Sequence, residues 1–97
     1  MDNDKLMEII ETLEQIENDA SVPKNVRIKV KSAMQALNEK STMGIAVKIN
    51  KSLQELDELH DNANIPAYTR TMIWNVVSSL ESIKWMLELF IYIISIN

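Results

Sequence analysis

Val22-Pro23-Lys24-Asn25-Val26-Arg27 and Ile65-Pro66-Ala67-Tyr68-Thr69-Arg70 stand 43 residues apart and share one pattern: an aliphatic residue, a proline, and an arginine four places beyond it. The same offset places Leu13 on Leu56, Ala20 on Ala63 and Leu37 on Leu80. It also pairs Leu6 with Ile49, Ile10 with Leu53, Ile16 with Leu59 and Val30 with Ile73. Conserved spacing at positions with structural roles is the mark of an internal repeat. Each copy reads as helix, short turn, helix.

In the first copy Leu6, Ile9, Ile10, Leu13, Ile16 and Ala20 recur at helical spacing, with Glu8, Glu11 and Gln15 on the opposite side. The turn is Asp19-Ala20-Ser21-Val22-Pro23. Ser21 is expected to cap the next helix, with Pro23 in its first turn, where a missing N–H costs nothing. Asn64 and Pro66 take those roles in the second copy. Val26, Val30, Ala33, Met34 and Leu37 form the second stripe, and Ala46, Ile49, Leu53, Leu56 and Ala63 the third. The stretch from Ser41 to Gly44 breaks the chain between them and caps the third helix.

One hairpin cannot bury its own apolar faces, but two can bury each other's. The expected fold is therefore all-α: a four-helix up-and-down bundle built from two tandem helical hairpins, with an extended C-terminal helix. An open solenoid fragment is the alternative, but two repeats leave too little core. The chain reads as one domain, with hairpins at about residues 4–41 and 44–84 and an apolar extension at 85–97.

Composition agrees. A chain of 97 residues that is 46% hydrophobic and 25% charged can fold, and one Gly with two Pro cannot supply the turns of a β protein. Cysteine is absent, which excludes disulfides and thiolate metal sites and fits a cytoplasmic protein. The N-terminus, Met1-Asp2-Asn3-Asp4-Lys5, does not resemble a secretory signal.

Two segments, V-P-K-N-V-R from Val22 and N-I-P-A-Y-T-R-T-M-I-W-N from Asn64, resemble those of a small archaeal family known as uncharacterised protein family number 0147. The resemblance covers about residues 5 to 84 and implies a four-helix up-and-down bundle. It implies no activity and carries over no functional residues. From Trp85 onward the chain departs from the family pattern.

Residue chemistry points away from catalysis, so no enzyme, cofactor or metal site is expected. His60, the only histidine, falls opposite Glu17 in the repeat. The pair would titrate near neutrality if joined, but its ordinary reading is two polar residues at the wet end of a bundle. Asp57-Glu58-Leu59-His60 supplies an Asp-x-x-His only once, where di-iron bundles need two Glu-x-x-His motifs and two more Glu. Ser32, Ser78 and Ser79 have no second His or Gly-rich elbow nearby. Arg27 and Arg70 either clamp an anion or reach back to turn carbonyls and acids, and their repetition favours the second.

Charge is unevenly spread. Residues 1–20 hold seven acids and one base, while residues 21–51 hold seven bases and one acid. Lys24, Arg27 and Lys31 lie on one side of the second helix, with Lys29 elsewhere, as a possible anion or nucleic-acid patch. No aromatic accompanies them, and the net charge of −4 disfavours a nucleic-acid partner. Surface pairing with the acidic first helix is the expected use of these bases.

The segment W-M-L-E-L-F-I-Y-I-I-S-I from Trp85 to Ile96 is apolar almost all round. A membrane span needs about 20 such residues, so none is expected, and a surface anchor would want a Lys/Arg rim. If the last helix continues through it, that helix reaches about 30 residues, roughly 45 Å, and overhangs its bundle. Thr69, Ile73, Val76, Leu80, Ile83 and Leu87 would face the core. Trp74, Trp85, Leu89, Tyr92 and Ile96 lie roughly 140° away, on a face where the first copy carries Lys31. These five residues are expected to form a self-association seam, making the protein a non-enzymatic interaction or scaffold protein that is a homodimer or other homo-oligomer. A nucleic-acid-binding accessory role for the second helix is the alternative.

Overall fold

A computed structural model describes residues 3–39 and 44–96. It holds α1 (Asn3–Glu17), α2 (Lys24–Leu37), α3 (Ile45–Asp57) and α4 (Ala67–Ser95). Sequential helices pack as neighbours, and α1 closes the ring against α4. The diagonal pairs α1/α3 and α2/α4 make no comparable approach among the described residues. This is the up-and-down four-helix bundle.

Burial follows the helical stripes. Ile9, Leu13 and Ile16 are buried from α1, and Val26, Val30, Ala33 and Leu37 from α2. Thr69, Ile73, Val76 and Leu80 are buried from α4. The 43-residue offset relates several buried positions: Leu13 and Leu56, Ile16 and Leu59, Val22 and Ile65, Val30 and Ile73, Ala33 and Val76, Leu37 and Leu80. Ser52 and Thr69, 43 residues beyond the buried Ile9 and Val26, are buried hydroxyl side chains. The Ser52 Oγ has no hydrogen-bond partner.

Three local expectations are corrected. Ser21 does not cap α2. Pro23 occupies the N-cap (φ −55°, ψ 145°), and its carbonyl accepts from the amides of Val26 and Arg27. The Ser21 hydroxyl is drawn away by the stronger acceptor, the Asp19 carboxylate, at 2.7 Å, and the Ser21 amide joins the same oxygen at 2.9 Å. Asn64 does not cap α4 either. Pro66 does so (φ −57°, ψ 146°), while the Asn64 amide donates to Asn62 Oδ1 at 2.9 Å. Proline serves because its fixed φ sets the chain for helix entry. Ala20 and Ala63 lie beyond the ends of α1 and α3 and are exposed, and in α3 Ser52 is buried while Leu53 is half-buried. Gly44 is the N-cap of α3, acting through a carbonyl that accepts from Val47 and Lys48. The cap expected from Ser41 lies outside the described residues.

Candidate association surface

The α2 patch is smaller than its sequence promises. Arg27 Nε donates to the Val22 carbonyl at 3.0 Å, so this side chain closes the turn below it. Arg70 does the same with different atoms: Nη2 donates to the Asn62 carbonyl at 2.6 Å and Nη1 to that of His60 at 3.5 Å. Both arginines thus satisfy orphan carbonyls. Lys24 and Lys31 are exposed. The expected pairing with α1 is not what forms. Lys29, on the opposite flank of α2, bonds Glu58 at 2.7 Å and approaches Glu55 at 3.5 Å, tying α2 to α3. The Glu58 bond and the charge of both carboxylates hold the Lys29 ammonium above the ordinary lysine range. No described ion pair joins α2 to α1, because α2 lies between two neighbours and turns Lys29 toward the other one.

His60 is exposed in the α3–α4 turn, and among the described residues no hydrogen bond or ion pair joins it to Glu17. No three described His, Asp or Glu side chains cluster as metal ligands would. An open groove of about 310 Å³ runs between α1 and α4, lined by Lys5, Glu8, Thr12, Gln15 and Tyr68 over a floor of Ile9 and Val76. A smaller apolar hollow of about 180 Å³ lies under Trp74 between Leu56, Leu59, Ile65 and Ile73.

The unusual surface is on α4. This helix runs unbroken for 29 residues, about 43 Å, whereas α1 to α3 have 13 to 15 residues each. It therefore outruns the bundle, and the molecule measures 51 × 24 × 21 Å. The extension continues α4 and does not fold back. Among the described residues beyond Lys84 only Leu87 is even half-buried. Trp74, Trp85, Leu89, Tyr92 and Ile96 share one face and are 43–65% exposed.

That seam is one edge of something larger. Leu87, Ile91 and Ile94 continue the line of Ile73, Val76 and Leu80 past the point where other helices cover it. Met86 and Phe90 fill the side between, both 62% exposed. Beyond Lys84 the polar side chains Glu88 and Ser95 fall on one narrow strip that continues Glu81 and Lys84, by the wheel. Ser95 Oγ itself turns back to donate to the Tyr92 carbonyl at 3.0 Å. The sequence signal for these extra residues was the unbroken apolar run, which a search for a single stripe divides. Among the described residues no helix is long and apolar enough to cross a membrane.

A family model described as "Uncharacterised protein family (UPF0147)" matches residues 1–83. The chain belongs to the UPF0147 family. The UPF0147 protein of Sulfurisphaera tokodaii is 39% identical over 80 residues, 82% of this chain and 89% of that protein. The one from Methanosarcina mazei is 36% identical over 78 residues, covering 80% and 83%. That of Pyrococcus abyssi is 37% identical over 82 residues, covering 84% and 94%. A crystal structure of a protein of unknown function, MMP1188, superposes with a TM-score of 0.79 at 37% identity, over 84% of this chain and 91% of that one. The UPF0147 match stops where the bundle stops. The overhanging part of α4 lies outside it.

Proposed function

We propose that this chain is a non-enzymatic interaction protein, a bundle carried into a homo-oligomer by the overhanging end of α4. The observation that carries this reading is the exposed apolar surface of that end. Trp85, Met86, Leu89, Phe90, Ile91, Tyr92, Ile94 and Ile96 are each between 43% and 65% exposed. At roughly 200 Å² per large side chain, these fractions sum to roughly 900 Å². The largest apolar patch on a typical monomer is about 300–600 Å², and a stable interface takes about 800 Å² from each partner. The surface is therefore larger than a monomer usually exposes and of the size a stable interface takes from one partner, which supports the reading.

A second copy is the partner always present at matching concentration, and a twofold axis lets one patch cover its own equivalent. Light scattering tests the reading. The full chain should have the mass of a dimer or higher oligomer at micromolar concentration. The chain truncated after Lys84 should be a helical monomer with nearly the same melting temperature. A full-length monomer would overturn the proposal.

The nucleic-acid reading keeps one observation in its favour, the exposure of Lys24 and Lys31. With Arg27 committed to the turn, two lysines release few counterions. Heparin retention that vanishes in Lys24→Gln/Lys31→Gln would favour it.

A further inference from the structure

Building on the self-association reading, we infer the register of the pairing: two α4 helices run antiparallel about a twofold axis at Trp85, so that the overhang of each copy lies along the bundle portion of its partner's α4. The seam is longer than the overhang. In steps of three and four residues it runs through Trp74, Ser78, Glu81, Trp85, Leu89, Tyr92 and Ile96, and all seven are exposed. Three- and four-residue steps keep one face of a helix toward a partner.

A contact confined to the two overhangs would cover Trp85 through Ile96 and leave Trp74 in water, 60% exposed. Placing the axis at Trp85 gives every seam residue a mate. Trp74 meets the second copy's Ile96, Ser78 meets its Tyr92, Glu81 meets its Leu89, and Trp85 meets its own equivalent. Sizes then match. The small Ser78 lies under the bulky Tyr92, and Glu81 can lay its methylenes on Leu89 while its carboxylate stays in solvent. Shifting the register toward the overhang frees Trp74, and shifting it toward the bundle frees Ile96.

The chain has no cysteine, so introduced thiols report only on the pairing. Ser78→Cys and Tyr92→Cys proteins, mixed under reducing conditions and then oxidised, should form a mixed disulfide dimer. Each protein oxidised alone should give little, because their Cα atoms lie opposite one another only across the pair. Self-cross-linking of Tyr92→Cys would indicate parallel helices and overturn the register. In case Tyr92→Cys weakens assembly, Ser78→Trp provides a second test in an otherwise intact seam. Filling the space under Tyr92 should raise the dissociation constant on the order of tenfold or more, with the monomer fold unchanged by circular dichroism. Unchanged association of Ser78→Trp would overturn the register while leaving self-association standing. A native chain that is monomeric by light scattering would overturn self-association itself.

Discussion

The two halves of α4 share one continuous backbone and one line of apolar residues, yet they have opposite surroundings. From Ala67 to about Ile83 the helix buries Thr69, Ile73, Val76 and Leu80 against the bundle and shows polar residues such as Asn75 and Ser79 along its groove. From Trp85 to Ile96 it buries nothing fully, although its side chains are larger. An apolar side chain stabilises a fold only if neighbours remove it from water, and those neighbours end before α4 does. Thr69, Ile73, Val76 and Leu80 in the first half are therefore core, while the apolar residues of the second half are exposed surface.

The sharpest way to break this comparison is to make the same kind of deletion in each half. Leu80→Ala should destabilise the monomer by about 2–5 kcal/mol, because the removed methyls leave a cavity in a fully packed site. Ile91→Ala, on the same line of the helix, should change the unfolding free energy of the dilute monomer in urea by no more than about 0.5 kcal/mol. Similar losses at both sites would mean that the second half is packed in the monomer after all.

Next in size is Ser52. Its hydroxyl is buried without a partner in the core shared by the first half of α4. Ser52→Ala should raise stability by about 1 kcal/mol, since an orphan hydroxyl forfeits its hydration, and association should not change. Destabilisation would mean that the hydroxyl is satisfied.

The Lys29 pair is smaller still. Its partners are about a third exposed or more, so Lys29→Gln should cost less than the Ser52 change gains, and less again at high salt. Guanidinium and urea midpoints measured side by side would show the salt dependence.

The smallest expected effect is at the α1–α2 turn. Two hydrogen bonds from Ser21, and more weakly the charge of Arg27, hold the Asp19 carboxyl below the usual carboxylate range. A folded value below the unfolded one means that this contribution is complete above the unfolded value and is lost as pH falls through the folded one. Asn62 accepts the equivalent amide bond in the other turn without a charge. Asp19→Asn should therefore keep the fold and flatten that part of the acid limb of the stability curve. An unchanged acid limb would remove Asp19 as a contributor.

Much of this structure could be read from residue order. The prolines at 23 and 66 mark both helix entries, and the apolar periodicity of Leu13, Ile16, Val30 and Leu37 reappears as buried side chains. Lys31, 43 residues before Trp74, marks the face of Trp74 and Trp85 as outward, and both are exposed. Periodicity was less informative where competition mattered. Ser21 had two possible uses, as cap or as donor to Asp19, and only geometry chose between them. Lys29 had acids on either side, in α1 and α3, and its flank of α2 selected Glu55 and Glu58. The breadth of apolar surface beyond Lys84 depended on how far the other helices reach.

Residue order settles local matters here: which segments are helical and which stripe of each is apolar. These follow from spacing and proline chemistry, which act over a few residues. The tertiary arrangement decided whether each stripe has something to bury against. Burial is a property of pairs of surfaces, and three short helices can cover only the first half of a long one. The chain could therefore write the same kind of apolar line from Thr69 to Ile94, and packing alone divided it into core and exposed surface.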